Sequence, residues 1–312
     1  MKVAMVGAGS MAREHLRAFR DAGWELAGIF SRTPARAQAL AQEMGIAKVC
    51  ESISQLYHST CADLVIVAVP ELAANSVATA CFEHPWKVLM EKPAGYNLAD
   101  AAAIARAAKV LGRQVFVALN RRFLSSTRSA LDGLSACKGN RFIQVFDQQS
   151  LEAARAIGHP PQVVENWMYA NSIHLVDYLR ALGRGRVTRV TRISNWNPGK
   201  PSTVIAGVEF ESGDTGLYQA IWSGPGPWAI AVTTSERRWE MRPLESLSQQ
   251  NANERKLIQL EISDWDRVFK PGFRLQAEHA GFAVRNQAHD LPTLEDALET
   301  MHLISKIYDT DA

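Results

Sequence analysis

Lys92 stands between a carboxylate and a proline, in Glu91-Lys92-Pro93, directly after a short apolar run. A lysine in a partly dry cleft loses its proton more easily than one in water, which makes it a usable acid or base. Glu91 would orient this lysine or contact a bound cofactor. The simpler interpretation is a solvated surface lysine. The position of Lys92 at the end of a predicted buried strand favours the chemical role.

A second ionisable pair, His174 and Asp177, lies three residues apart in a segment with helical periodicity and therefore shares one helix face. A histidine in a cleft can exchange a proton with a substrate hydroxyl while a hydride moves to or from a nicotinamide. The alternative is a histidine that anchors the helix by hydrogen bonds. We expect Asp177 to hold the helix or touch the substrate rather than to act as the base.

The start of the chain predicts where a cofactor binds. Residues 3–6 form an apolar run typical of a buried strand, which breaks at Gly7-Ala-Gly9 and passes into a helical pattern. Gly7 permits the sharp turn, and Gly9 leaves room for a pyrophosphate over the backbone amides of Ser10 and Met11. Glycine turns are common, so a plain turn is the alternative.

The end of the second predicted strand bears on the type of nucleotide. A site for NAD usually places a carboxylate there, on the ribose 2′-hydroxyl. This chain has Ser31 and Arg32 instead. A guanidinium makes a two-pronged charged contact to phosphate, so the pair favours NADP over NAD. The alternative is that Arg32 only covers the adenine ring, which suits either cofactor.

Strands and helices alternate through the first part of the chain. Such alternation predicts an α/β fold with a doubly wound parallel sheet, whose ligands bind at the carboxyl ends of the strands. The unusual polar residues fall at such ends, including Asn120 after the last of these strands. The predicted strands cover residues 3–6, 26–30, 63–69, 86–90 and 114–119, and the predicted helices cover residues 35–44, 73–82 and 98–111.

After Phe123 the pattern changes to strands that alternate apolar with polar residues, which favours a large, mostly antiparallel open sheet in a second α/β domain. We therefore place a dinucleotide-binding domain at residues 1–122 and a substrate-binding and oligomerisation domain at 123–312. The predicted strands here cover residues 141–146, 186–193, 203–210, 216–222 and 228–233, and the predicted helices cover 171–182, 273–287 and 294–308. Residues 211–214 are a hairpin signal.

The composition excludes several function classes. A net charge of +2 over 312 residues gives no basic field for nucleic acid or an anionic membrane. No apolar stretch nears membrane-spanning length, and the run after Met1 is too short for a signal peptide. The four cysteines form no C-x-x-C pair, and the histidines show no metal-ligand spacing. We expect buried free thiols, no metal and a cytoplasmic protein.

On these motifs the chain resembles the Gfo/Idh/MocA oxidoreductase family, which includes glucose-fructose oxidoreductase and inositol dehydrogenase. The matching pieces span nearly the whole length and follow the family's order. They are Gly7-Ala-Gly9, Val69-Pro70, Glu91-Lys92-Pro93, Asn120-Arg121-Arg122-Phe123, His174-x-x-Asp177 and Pro292-Thr-Leu-Glu-Asp296.

The resemblance implies a Rossmann domain and a C-terminal domain whose open sheet face mediates assembly into a homodimer or homotetramer. It also implies oxidation or reduction of a sugar, cyclitol or related polyol with NADP or NAD, with Lys92 and His174 as the catalytic residues. The candidate cofactor contacts are Gly7, Gly9, Ser10, Met11, Ser31, Arg32, Val69, Pro70, Glu91, Lys92 and Asn120. The candidate substrate contacts are Arg121, Arg122, Trp167, Tyr169, Asn171 and Asp177.

The chain departs from the family pattern at Ala170, where relatives commonly carry an aspartate one helical turn before the histidine. Asn171, Tyr169 or Arg122 would replace that carboxylate, or the mechanism uses Lys92 and His174 alone. One alternative function is a cofactor-dependent binding or regulatory protein with weak or lost catalysis. Another is an enzyme that retains its cofactor and uses transient oxidation to drive elimination or hydrolysis.

Overall fold

The computed structural model describes residues 1–310, which form two compact units with one sheet each. The first unit contains Met1–Asn120 and Trp265–Leu298, and the second contains Arg121–Asp264 and the chain from Glu299 onward. The C-terminal segment 265–298 thus belongs to the same unit as the glycine turn.

The sheet of the first unit is entirely parallel, with strand order 3-2-1-4-5-6. Its strands are β1 (Lys2–Val6), β2 (Glu25–Phe30), β3 (Val49–Cys50), β4 (Leu64–Val67), β5 (Lys87–Glu91) and β6 (Val115–Ala118). The order reverses between β1 and β4, the point where ligands bind in doubly wound sheets. All four residues of β4 are buried, as its continuous apolar run predicts.

The sheet of the second unit is antiparallel except where β7 pairs with β10, and its order is 14-13-12-11-7-10-9-8. Its strands are β7 (Phe142–Gln148), β8 (Val187–Ser194), β9 (Thr203–Phe210), β10 (Thr215–Ile221), β11 (Ala229–Thr233), β12 (Arg237–Met241), β13 (Leu247–Asn251) and β14 (Ile258–Leu260). Buried and half-exposed residues alternate along β9 and β10, because one face of the sheet is covered and the other is open. Both sheets confirm the predicted fold class.

Within residues 1–310, twelve α-helices accompany the two sheets. They are α1 (Ser10–Asp21), α2 (Pro34–Met44), α3 (Ile53–Thr60), α4 (Ala74–Phe82), α5 (Leu98–Val110), α6 (Ser125–Ser135), α7 (Leu151–Ala156), α8 (Pro161–Glu165), α9 (Ile173–Leu182), α10 (Trp265–Val268), α11 (Phe273–Val284) and α12 (Leu294–Tyr308). A π-helical turn, Met168–Ser172, leads directly into α9.

Helix α11 packs on α1 within the first unit. The Arg274 guanidinium lies 2.5 Å from the Asp21 carboxylate, and the indole N–H of Trp24 donates to the Ala277 carbonyl over 3.2 Å. On another side, the Lys87 ammonium donates to the Ala283 carbonyl near the end of α11. These contacts tie a segment from the C-terminal part of the chain to the N-terminal part of the first unit.

The two edges of the second sheet are built differently. Strand β14 is only three residues long, whereas β8 is eight residues long and contains Arg189 and Arg192, with Arg186 directly before it. Arg186 pairs with Glu211, Arg189 pairs with Glu209, and Arg192 pairs with Asp309. Each guanidinium of this edge is therefore already bound to a carboxylate of the same unit.

The cysteines are free thiols among the described residues, but not all of them are buried as expected. Cys50 and Cys81 lie in the interior, whereas Cys61 is exposed and Cys137 half-exposed. Cys61 ends α3 in a left-handed conformation, which turns it away from the core. None of the helices described has both the length and the apolar character needed to cross a lipid bilayer.

Candidate functional site

The glycine turn lies between β1 and α1, at the switch point of the parallel sheet. Gly7 has φ of +120°, and a side chain there would overlap the carbonyl oxygen of Ala68 at the end of β4. Gly9 stands before α1, caps it without a side-chain hydrogen bond, and has open space around its α-carbon. Ala12 is fully buried, which allows α1 to pack closely on the sheet.

The start of α1 has no side-chain cap. Ser10 is exposed and Met11 half-exposed, and neither receives a capping side chain. The positive end of the helix dipole and these amides suit a phosphate group, and the bare α-carbon of Gly9 leaves room for it. The residues present therefore fit the pyrophosphate of a dinucleotide.

Polar residues predicted at the neighbouring strand ends lie along the same edge of the sheet. Ser31 follows β2 and accepts a hydrogen bond from the amide of Thr33, while the exposed Arg32 makes no ion pair with any of residues 1–310. Val69 and Pro70 follow β4, half-buried and exposed respectively.

Asn120, after β6, is buried, and its side-chain amide donates to the Pro271 carbonyl over 2.9 Å. Its side-chain nitrogen is thus bound to the segment 265–298, which the C-terminal part of the chain contributes to the first unit.

Glu91 ends β5 and is held by two contacts. One carboxylate oxygen lies 2.7 Å from Nε2 of His15, a buried residue of α1, and the other accepts the backbone amide of Lys92. The His15 ring in turn packs against Phe273 of α11, with ring centres 4.5 Å apart. The Lys92–Pro93 peptide bond that follows is cis. The helix that begins at the glycine turn thus also fixes the residue before the candidate lysine.

The charge state of Glu91 follows from this arrangement. Burial alone raises the pKa of a carboxyl group, but the hydrogen bond and charge of His15, together with Lys92, hold the Glu91 pKa below its ordinary value. The carboxylate is therefore ionised at neutral pH, beside the half-buried Lys92.

In the second unit, Arg122 and Asp177 bind each other. The guanidinium donates through Nε and Nη2 to the two carboxylate oxygens, over 2.8 and 2.7 Å, and the Thr300 hydroxyl donates a further hydrogen bond over 2.9 Å. Asp177 is 2% exposed. This geometry accounts for the helix-holding role expected of Asp177.

The other predicted substrate residues surround the π-helical turn and also have protein contacts. Trp167 and Asn171 both donate to the side-chain oxygen of Gln149, and the Tyr169 hydroxyl bonds with that of Thr310. Arg121 lies 3.5 Å from the Glu245 carboxylate.

His174 is 9% exposed, with its ring 6.0 Å from that of Trp228. Ala170, the position that departs from the family pattern, is buried. Lys92 belongs to the first unit and His174 to the second, and their meeting stays a prediction.

Sequence reasoning missed two groups that support the site. The contact between His15 and Glu91 has no local signal, because the two residues are 76 positions apart in the chain. Asp147 and Gln149, near the end of β7, were not singled out. One signal was present, because Ile143, Val145 and Asp147 alternate on the buried face of β7, where an aspartate is out of place.

Residues 1–119 match the GFO_IDH_MocA family, described as an oxidoreductase family with an NAD-binding Rossmann fold. The chain is 32% identical over 127 residues to inositol 2-dehydrogenase 1 of Saccharopolyspora erythraea, covering 39% of this chain and 38% of that protein. It is 26% identical over 220 residues to 1,5-anhydro-D-fructose reductase of Ensifer adhaerens, covering 67% and 66%. The matches thus span less than two thirds of these curated relatives.

Among solved structures, levoglucosan dehydrogenase in complex with NADH superposes with a TM-score of 0.82 at 15% identity, covering 98% of this chain and 95% of that one. This similarity concerns the fold, which it supports over both units. Together with the family match, it confirms the resemblance inferred from the glycine turn and from Glu91-Lys92-Pro93. Residues 1–119 are thus similar to the NAD-binding Rossmann domain of the Gfo/Idh/MocA family of oxidoreductases.

Proposed function

We propose that this protein is an NAD(P)-dependent dehydrogenase or reductase acting on a sugar, cyclitol or related polyhydroxylated small molecule. One observation carries the proposal: the uncapped amino end of α1 and the Glu91-Lys92 pair lie at the carboxyl edge of one parallel sheet, linked through His15. A dinucleotide site and an ionisable pair are thereby positioned by the same helix.

The chain's own residues would divide the work as follows. The amides of Ser10 and Met11 hold the pyrophosphate, and Gly9 keeps the approach open. A bound nicotinamide would supply or accept the hydride. Lys92 and His174 hold or move the proton of the substrate hydroxyl, while Glu91 keeps a negative charge beside Lys92.

The substrate class is supported by the names of the relatives, which are an inositol dehydrogenase, an anhydrofructose reductase and a levoglucosan dehydrogenase. Each of these relatives is named for a ring compound that carries several hydroxyl groups. Polar side chains near the π-helical turn suit such a compound, because amides and hydroxyls both give and take hydrogen bonds.

For the cofactor we propose a preference for NADP. The support is Arg32, an exposed guanidinium after β2 that makes no ion pair within residues 1–310, with the Ser31 hydroxyl beside it. Replacing Arg32 by alanine should weaken NADPH binding about tenfold or more and leave NADH binding within about twofold, because a charged hydrogen bond contributes roughly 1.5–3 kcal/mol.

A direct test is the absorbance of the reduced nicotinamide during incubation with a panel of inositols, aldoses, anhydro sugars and their keto forms. We expect turnover with at least one of them, and its near-complete loss in Lys92→Met with cofactor affinity nearly unchanged. Lys109→Met is the matched control, since Lys109 is an exposed lysine of α5. Substantial activity in Lys92→Met would refute the role of this lysine.

Two other outcomes would replace the proposal. Cofactor binding without turnover across the panel would favour a binding or regulatory protein, for which the buried Ala170 is the supporting observation. A tightly retained cofactor with net hydrolysis or elimination would favour transient oxidation.

A further inference from the structure

A buried polar cluster lies at the end of β7 in the second unit. Asp147 is 1% exposed and accepts hydrogen bonds of 2.6 Å from the Tyr218 hydroxyl and from the side-chain amide of Gln149. The Tyr218 hydroxyl also bonds with that of Tyr308. The partners of this carboxylate are neutral, and burial raises the Asp147 pKa above its ordinary value. An acidic group in such surroundings is costly to the fold, which favours a role beyond packing.

The hydrogen bonds of Gln149 are consistent with only one orientation of its side-chain amide. The indole nitrogen of Trp167 can only donate, and it lies 3.0 Å from the Gln149 side chain, so the oxygen of the amide must face it. The amide nitrogen of Gln149 then faces Asp147, which accepts. The two ends of the side chain are thereby fixed from opposite sides.

The orientation of the Gln149 amide also determines that of the Asn171 side-chain amide. The same oxygen of Gln149 accepts a second hydrogen bond from Asn171 over 2.8 Å, so the side-chain nitrogen of Asn171 must face inward. Gln149 is 1% exposed, whereas Asn171 is half-buried. The carbonyl oxygen of Asn171 is therefore the end of this amide that does not face Gln149, and Asn171 lies on the π-helical turn that precedes His174.

We propose that Gln149, held by Asp147, is a positioning residue that fixes the Asn171 amide so that its carbonyl oxygen accepts a hydroxyl proton of the polyol substrate. The inference rests on the proposed function for the substrate class. It deepens that function by assigning the Asn171 carbonyl oxygen as a hydrogen-bond acceptor. The site then favours a substrate with a hydroxyl group next to this oxygen and disfavours one with an ether oxygen or a deoxy carbon there.

Two variants of the same cluster separate positioning from simple support. Gln149→Met preserves volume and removes the acceptor for both Trp167 and Asn171. Tyr218→Phe is the matched control, because it removes a donor to the same Asp147 without touching Asn171. The measurement is calorimetric binding of the best polyol of the panel to the protein with oxidised cofactor, together with the indole N–H signal of Trp167 in nitrogen-proton NMR, assigned with Trp167→Phe.

We expect Gln149→Met to weaken polyol binding about five- to tenfold, the loss of one oriented hydrogen bond, and to shift the Trp167 indole signal. Tyr218→Phe should change polyol binding less than about twofold and leave that signal in place. Cofactor affinity should be unchanged in both. Equal polyol affinity in Gln149→Met and wild type, or equal losses in both variants, would overturn the inference with the proposed function intact. A wild-type protein that binds polyols without oxidising or reducing them would refute the proposed function alone, and one that binds no polyol would refute both.

Discussion

The paired side chains Arg122 and Asp177 allow a sharp test of whether two residues predicted to bind substrate serve the fold instead. Replacing Asp177 by asparagine keeps the shape of the side chain and removes its charge. The Arg122 guanidinium, whose side chain is 18% exposed, then loses the carboxylate that it contacts through two nitrogens. Thr300 keeps an oxygen to which it can donate. The change therefore isolates the ion pair.

The size of the effect follows from burial. Removing one partner of a buried ion pair typically costs about 3–5 kcal/mol, because the other charge stays desolvated. Since Arg122 retains some access to water, we expect the lower end, about 3 kcal/mol. In a chain of 312 residues, with roughly 2 cal/mol/K of unfolding entropy per residue, that corresponds to a fall in melting temperature of about 4–5 °C. Replacing both members, Arg122→Met with Asp177→Leu, should recover much of the loss, since well-packed apolar pairs often match buried ion pairs.

The assay is equilibrium unfolding in urea followed by circular dichroism, with cofactor affinity as the control, because the glycine turn lies in the other unit. We expect Asp177→Asn to unfold at lower urea with unchanged cofactor binding. A loss of stability below about 1 kcal/mol, combined with a raised KM for the polyol, would refute the reasoning. It would show that the carboxylate meets the substrate.

Two further predictions concern His15 and Asp214. His15→Phe keeps the packing against α11 but removes the partner of Glu91, so burial should then raise the Glu91 pKa. The acid limb of the kcat/KM profile should move to higher pH, and an unmoved limb would contradict the link. Asp214, bound by Arg184, has its pKa lowered from 3.8 to about 2 despite its burial. Its contribution is present above pH 3.8 and is lost as pH falls toward 2. Asp214→Asn should therefore cost about 1–2 kcal/mol at pH 7, with solvent screening of Arg184 allowed for, and little at pH 2 in urea unfolding. An equal cost at both pH values would exclude the ionic origin.

The sequence predicted most strands of the parallel sheet because a buried strand is a local apolar run, as in β4. It failed where the local signal is weak. Strand β3 has two residues, and β13 reads Leu-Ser-Gln-Gln-Asn, with one apolar side chain. Neither a period nor a run can be recognised in such segments.

The candidate site was likewise predicted only in part from the sequence. The glycine turn and Glu91-Lys92-Pro93 are short motifs, so they could be found from neighbouring residues. The contacts that hold them join residues far apart in the chain, such as His15 with Glu91 and Asn120 with Pro271. The periodicity of a sequence contains no information on such pairs. For the same reason it could not predict that residues 265–298 belong to the first unit.

The edge of the second sheet has a consequence for self-association. A further strand beside β8 would meet a row of charged side chains, because Arg186, Arg189 and Arg192 lie there with their partners Glu211, Glu209 and Asp309, and charged side chains disfavour pairing at a sheet edge. At the far side, β14 offers only three residues for pairing. Open-ended growth of the sheet into fibres is thus disfavoured at both rims.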